Sequence, residues 1–389
     1  LSSETAFDVL SKVTKLRAEG RSIISFAIGE PDFDTPVHVK EAGKKAIEEN
    51  YTHYSPSAGI PRLRDAVSEH SFKVRGVRCR PEEVVVTPGA KPIIFHSILS
   101  LVNEGDEVIY PNPGFPIYES MINFAGGRPV PLPLREERGF SFDIEEFKSL
   151  VTPKTKMIII NSPQNPTGGM LSERDLLEIA GVAIKNDIWV LSDEVYHRFV
   201  FQGEFGSIAA IPGMRDRTIV LDGCSKSYAM TGWRIGWGIM PEELAKIMTK
   251  LVINSDSCTA TFTQMAAVEA ILGDQGESFR MAGKFRERAE ITHRLLNGIK
   301  GVRAQFPAGA FYVFPNITEA CKKMGLSDSR EFQDRLLYDA GVAVLARTCF
   351  GSRNKGETDE YVRLSIATHS AEIFKGLAVM KDYIENFKK

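Results

Sequence analysis

The stretch DGCSKSYAMTGWRIGW, residues 222–237, sets Lys226 beside Ser225 and eight positions ahead of Arg234. An amine so placed can condense with a carbonyl and afterwards carry protons. A planar guanidinium with a neighbouring hydroxyl can hold a phosphate or a carboxylate. A single lysine between two strands is more often a solvated loop residue, so its chemistry depends on its companions. Those companions are sought at strand ends, because ligands of open α/β sheets bind beyond the carboxyl ends of the strands. The polar strand ends are TPGAK (87–91), YPNPGF (110–115), NSPQNPTG (161–168) and SDEVY (192–196), with DGCSK (222–226) itself.

The elements that must position these residues are legible as alternating apolar runs and helical patterns between about Glu83 and Met240. EVVVT, DEVIY, RPVPL, KMIII, IWVLS, TIVLD and RIGWGI predict a mostly parallel seven-stranded sheet with flanking helices, an α/β architecture. One crossover helix can be traced in detail. Ser172 and Asp175 make a capping-box-like start, and Leu176, Ile179, Ala180, Ala183 and Ile184 follow at helical spacing. Beyond about Phe285 a long helical stretch leads to GVRAQF, GAFYVFP, a helix near Arg330–Asp339, GVAVL, EYVRLSIA and a final helix. This pattern predicts a smaller α+β domain. The expected division is a large domain over 46–284 and a discontinuous small one from 1–45 and 285–389.

Composition narrows the classes. The chain has 389 residues, 43% hydrophobic and 25% charged, which is ordinary for a folded protein of two or three domains. With 48 basic against 50 acidic side chains and no long like-charge run, there is no footprint for nucleic acid or an anionic membrane. No apolar stretch approaches a membrane span and LSSETAFDVL does not read as a signal peptide, so a cytoplasmic location is expected. Five scattered cysteines fit reduced thiols, and neither they nor the seven histidines show metal-ligand spacing. Cys224 and Cys258, near the expected site, read as packed residues and not as reactants.

The P-loop pattern is missing, GWRIGWG does not satisfy the dinucleotide fingerprint, and Ser227 stands where a hydrolase elbow needs glycine. Pyridoxal phosphate would use what remains. Its aldehyde suits Lys226, and its phosphate suits Arg234, Ser225 and the Gly89-Ala90-Lys91 turn at a helix start. Its pyridine nitrogen would need an anion, and Asp193 ends the apolar strand IWVL.

GEPDFDTP (29–36), YSPSAGIPRLR (54–64), SPQNPTG (162–168), SDEVY (192–196), SKSYAMTGWRIGW (225–237), GAFY (309–312) and VRLSIA (362–367) follow one another in a family order. The chain resembles the class I and II aminotransferases, fold-type I pyridoxal 5'-phosphate enzymes of the aspartate aminotransferase superfamily, over nearly its whole length. The resemblance implies that Lys226 binds the cofactor as a Schiff base and moves the proton at the substrate Cα. It implies that Asp193 pairs with the pyridine nitrogen, that Tyr196 and Asn165 hydrogen-bond the ring oxygen, and that Phe115 stacks on the ring. Arg234, Ser225 and the backbone of Ala90 and Lys91 would hold the phosphate. Tyr54 would join them from a neighbouring subunit, which implies a homodimer with shared sites. Arg363, with Asn165 and the backbone of Gly29, would bind the substrate α-carboxylate.

The implied reaction moves an amino group from an L-amino acid of aspartate, aromatic or alanine type to a 2-oxo acid such as 2-oxoglutarate, by a ping-pong cycle. A carbon–sulfur β-lyase is the alternative within the same fold, since it would use the same Lys226. A DNA-binding regulator carrying such a domain lacks support, because no basic helix-turn-helix precedes the first motif. Two departures bear on specificity. NSDSCTATFTQ (254–264) has no cation where animal-type aspartate enzymes carry an arginine, and VLARTCFG (344–351) has Ala346 and Arg347 where a Pro-Gly pair is common. Two readings follow for Arg347: contact with a distal substrate carboxylate, or a side chain that points to solvent or into a structural salt bridge. Trp233 and Trp237 read as packing around Arg234.

Overall fold

The computed structural model describes residues 5–387; the outermost ends of the expected small domain, 1–4 and 388–389, lie outside the described residues. All seven expected strands form, and a two-residue strand, Ser141–Phe142, extends the sheet to eight. From one edge the order is Val84–Thr87, Gly236–Ile239, Thr218–Gly223, Trp189–Asp193, Thr155–Asn161, Glu107–Asn112, Arg128–Arg135 and Ser141–Phe142. Gly236–Ile239 runs antiparallel to both its neighbours, while the strands from Thr218–Gly223 to Arg128–Arg135 pair in parallel. Continuous β-branched runs such as Val84–Val86 and Ile158–Ile160 are buried throughout, as a sheet covered on both faces requires.

The crossover helix Glu173–Asn186 has Ser172 as its N-cap, with the reciprocal Ser172–Asp175 bonds of a capping box. Leu176, Ile179, Ala180 and Ala183 are buried on the sheet. Ile184, expected to share that stripe, is instead 41% exposed, because the helix ends within one turn at the left-handed Asp187.

Beyond the sheet, the helix Gly276–Leu296 runs across the boundary expected at residue 285. The helices Ser329–Ala340 and Ser370–Glu385 follow, with short strands at Tyr312–Val313, Val342–Ala343, Leu345–Ala346 and Val362–Ser365. GVRAQF does not form the expected strand. It makes one isolated bridge, Arg303 to Asn316, while the Arg303 guanidinium forks onto Glu136 at 2.8 Å on both arms. The N-terminal strand Ile24–Ser25 pairs in parallel with Val342–Ala343, and Val9, Val13 and Leu16 pack with Phe314, Leu337 and Leu345. The helix Val37–Glu48 differs from the expected grouping: its Val39 packs with Ala266 and Ala270 beside the large sheet. No helix among the described residues is long and apolar enough to cross a membrane.

Candidate active site

Eleven of the twelve expected site residues line one cavity of about 470 Å³ at the carboxyl ends of the central strands. Tyr54 is the exception, 90% exposed and away from the cavity of its own chain.

Lys226 lies on the short helical turn Cys224–Ser227, immediately after Thr218–Gly223. Its Nζ donates to the Gly29 carbonyl at 2.6 Å and stands 5.8 Å from the Phe311 ring centroid. Burial lowers its pKa from 10.5 to about 8; Glu30 opposes the fall, Arg363 and Arg234 add to it, and Asp193 opposes it. The result is an amine that loses its proton far more readily than a solvated lysine.

Asp193 ends the adjacent strand, in register with Leu221. It is 5% exposed, and burial raises its pKa to about 6 against the stabilising hydrogen bond from Tyr118. Tyr118 Oη, from the helix Ile117–Phe124, reaches Asp193 Oδ2 at 2.7 Å. Tyr196 is buried, which pushes its pKa well above the usual phenol, so it remains a neutral hydroxyl, 2.9 Å from the hydroxyl of Tyr312.

The phosphate-type end is built by close backbone approaches. The turn at Pro88–Ala90 leads into the helix Lys91–Leu101, whose start lines the cavity through Ala90 and Lys91. Gly236 permits the approach: a Cβ there would stand 2.5 Å from the Ala90 nitrogen and 2.7 Å from the Gly89 carbonyl carbon. Arg234 takes a left-handed backbone, φ 53° and ψ 64°, a conformation costing an L-residue about 1–2 kcal/mol. It turns the guanidinium back on the turn, donating to Thr231 O at 2.8 Å and Pro88 O at 3.4 Å. Ser225 lines the same end, and the Lys91 ammonium sits 5.2 Å over the Phe115 ring.

At the opposite end Arg363, 4% exposed on Val362–Ser365, donates to Asn165 Oδ1 at 3.0 Å and to the Ala27 carbonyl. Its guanidinium is sandwiched between Tyr312 at 4.5 Å and Phe350 at 4.9 Å. Gly29 is glycine for a steric reason, since a Cβ would collide with the Tyr312 hydroxyl at 2.0 Å.

Arg347 does not reach the cavity. It is wholly buried and forks onto Glu357 at 2.6 and 2.8 Å, with further bonds to Asn112 Oδ1 at 3.1 Å and Gly351 O at 3.1 Å. Its charge is consumed in holding its own loop, so the distal-carboxylate role is set aside for the salt bridge. Cys224 is buried and its thiol is raised well above its ordinary pKa by burial, as a packed residue should be. Trp237 is buried, and Trp233 donates to Thr35 Oγ1 at 3.1 Å.

Sequence reasoning missed Glu30, Tyr118, Tyr312 and Phe350. Glu30 and Tyr312 sit inside the quoted motifs GEPDFDTP and GAFY, and Phe350 inside the quoted stretch VLARTCFG, which were available signals; Tyr118 had none.

A buried lysine of lowered pKa and a buried carboxylate on neighbouring strand ends, with a helix start and a buried arginine in the same cavity, fit a transferase of fold type I. The chain belongs to the class I and II aminotransferases: the model of the family "Aminotransferase class I and II" matches residues 21–378. A probable aspartate/prephenate aminotransferase of Aquifex aeolicus is 39% identical, over 97% of this chain and 95% of the relative. An aromatic-amino-acid aminotransferase 2 of Thermococcus litoralis is 38% identical, over 97% and 96%. The solved aspartate aminotransferase of Thermus thermophilus with maleate superimposes with a TM-score of 0.91 at 34% identity, covering 98% of this chain and 97% of that one. The protein is therefore a pyridoxal-phosphate-dependent aminotransferase acting on an amino acid and a 2-oxo acid, and the carbon–sulfur lyase alternative is not favoured.

Proposed function

We propose that this chain transfers the amino group of an L-amino acid of aspartate, aromatic or alanine type to 2-oxoglutarate, with pyridoxal 5'-phosphate bound at Lys226. The observation that carries the reading is the Lys226 amine, lowered to about pKa 8, in one cavity with Asp193, Arg234 and Arg363. The residues fit the group. The cavity volume suits a small cofactor with a substrate. A helix start, a serine and an arginine converge at one end, and the Gly236 approach shapes a cradle that a Cβ would fill. The names of the relatives supply the aspartate and aromatic donor classes, and a solved alanine aminotransferase of Pyrococcus furiosus supplies the third.

When bound, the cofactor supplies an aldehyde for the amine and a conjugated ring that takes up the electron pair left at the substrate Cα. Lys226 would hold the aldehyde and is the amine placed to carry the Cα proton. Asp193 would keep the ring nitrogen protonated, while Tyr196 and Asn165 would serve the ring oxygen. Phe115 would pack against the ring. Arg363 orients the α-carboxylate with Asn165 and Gly29, which fixes the direction of the Cα–H bond. Arg234, Ser225 and the Ala90–Lys91 backbone hold the phosphate. Tyr54 completes that end from the partner subunit of a homodimer, a role its 90% exposure leaves open.

The two-part division is proposed with one amendment: Val37–Glu48 groups with the large part, 46–284, and the rest of 1–45 with 285–389. Five free cysteines favour a reducing compartment such as the cytoplasm.

The test is steady-state kinetics with aspartate, phenylalanine and alanine against 2-oxoglutarate. Parallel double-reciprocal lines and one glutamate formed per oxo acid are expected. Release of ammonia without glutamate would overturn the proposal.

A further inference from the structure

One residue beyond Asp193 and four before Lys226, two more carboxylates are buried: Glu194 and Asp222, each no more than 2% exposed. Both are held by Arg75, the last residue of the helix Pro61–Arg75, whose side chain is wholly buried. Arg75 Nε donates to Glu194 Oε2 at 2.5 Å and Nη2 to Asp222 Oδ2 at 2.7 Å. Glu194 also accepts from Ser192 and Ser207 at 2.9 and 2.7 Å, and Asp222 from the Gly223 N–H at 2.7 Å. His70, His197 and Asp222 offer ligand atoms within 4.8 Å of one another, but the guanidinium already occupies Asp222, so no metal site is assigned. His70 is kept neutral, its pKa lowered to about 3 by burial and by Arg75.

We propose that Arg75 is a positioning residue for the cofactor site: it ties together the two strand ends that deliver Asp193 and Lys226 and offsets the buried negative charge behind Asp193. The proposal rests on the reading of Asp193 as the partner of the pyridine nitrogen. The two strands are adjacent and parallel, so a fork gripping the residue after Asp193 and the residue before Gly223 fixes the spacing of Asp193 and Lys226. The electrostatic part follows from sign. Asp222 and Glu194 each push the Asp193 carboxyl upward, and it already stands at about 6. Without Arg75 those two charges are less compensated, Asp193 takes up a proton at higher pH, and a neutral carboxyl cannot hold a pyridinium. The groups facing Asp193 are Tyr118, Val195 N–H, Tyr196, Glu194, Asp222 and Lys226; those facing Arg75 are Glu194, Asp222, His197 and His70.

The experiment binds pyridoxal 5'-phosphate to cofactor-free protein from pH 5 to 9, read by absorbance, with circular dichroism reporting the fold. For Arg75→Met the acid-side midpoint of binding is expected to rise by about one unit, with affinity at pH 5 falling about tenfold, the equivalent of one unit of carboxyl pKa. For Glu194→Gln the midpoint is expected to move the opposite way, because a negative charge is removed. A wild-type midpoint in folded Arg75→Met overturns the proposal. If Arg75→Met does not fold, an unmoved or raised midpoint in Glu194→Gln overturns it instead, since loosened packing alone would not lower it. Asp193→Asn separates the two readings: a wild-type acid limb in that variant defeats the role of Asp193 itself, whereas its loss alongside an unchanged Arg75→Met defeats only the inference about Arg75.

Discussion

A solvated lysine at pH 7.5 is a free amine in about one molecule per thousand; at a pKa near 8 the fraction is about a quarter. The burial that produces this gain also brings Glu30 into the cavity, and that carboxylate works against it by favouring the ammonium. Thr231 donates its hydroxyl to Glu30 and so fixes the carboxylate in the cavity. Removing the charge should lower the Lys226 pKa further. In Glu30→Gln, the pH midpoint for reaction of the cofactor-free amine with an aldehyde is expected below about 8, and the rate at pH 7 to rise; stopped-flow absorbance across pH checks both. A midpoint that rose would contradict the sign of the Glu30 interaction. Lys226, Asp193, Arg234 and Arg363 were legible because each lies within an ordered motif at a strand or turn. Tyr118 and Arg75 were not legible, since each acts on strand-end residues 75 to 147 positions away in sequence through contacts that only the folded chain creates.

The elements succeed or fail by how closely their backbones approach. Gly236 on its strand and the Gly89–Ala90 turn meet at backbone distance, and a Cβ at 236 would meet three backbone atoms between 2.5 and 2.7 Å away. Backbone cannot rotate aside as a side chain can, so Gly236→Ala should move the turn and open the phosphate end. The expected cost is about 1–3 kcal/mol of stability, as for overpacking elsewhere, with weaker binding of pyridoxal 5'-phosphate. Gly232, two residues before Arg234, has nothing within 4 Å of its would-be Cβ. Gly232→Ala is therefore expected to change stability by less than about 0.5 kcal/mol. Urea unfolding of both variants measures the contrast. The same scale explains which strands were readable. Long apolar runs such as KMIII had neighbours to pair with on both sides, whereas GVRAQF, with a strand-like alternation, found a partner at one residue only. Hydrophobic pattern reports the capacity to pair, and the presence of a neighbour is a property of the fold.

At the scale of the whole molecule, a single chain assembles eleven of the expected residues and leaves Tyr54 in solvent at 90% exposure. An aromatic hydroxyl so exposed has no packing reason to be there, and the proposed homodimer gives it one, at the phosphate end of the partner's cavity. Two-fold symmetry turns this into a complementation test. A chain with Lys226→Ala retains Tyr54 but has no amine; a chain with Tyr54→Ala retains the amine but cannot complete its partner's site. After unfolding and refolding the two together, half of the dimers are mixed, and each mixed dimer holds one complete site and one doubly defective site. Activity should therefore rise above the mean of the two separately refolded parents toward roughly a quarter of wild type, as random pairing of symmetric subunits dictates. If each site were self-contained, the mixture would give only that mean. Mixing the variants without unfolding should restore activity only as fast as subunits exchange, so the time course separates shared sites from any effect of refolding itself.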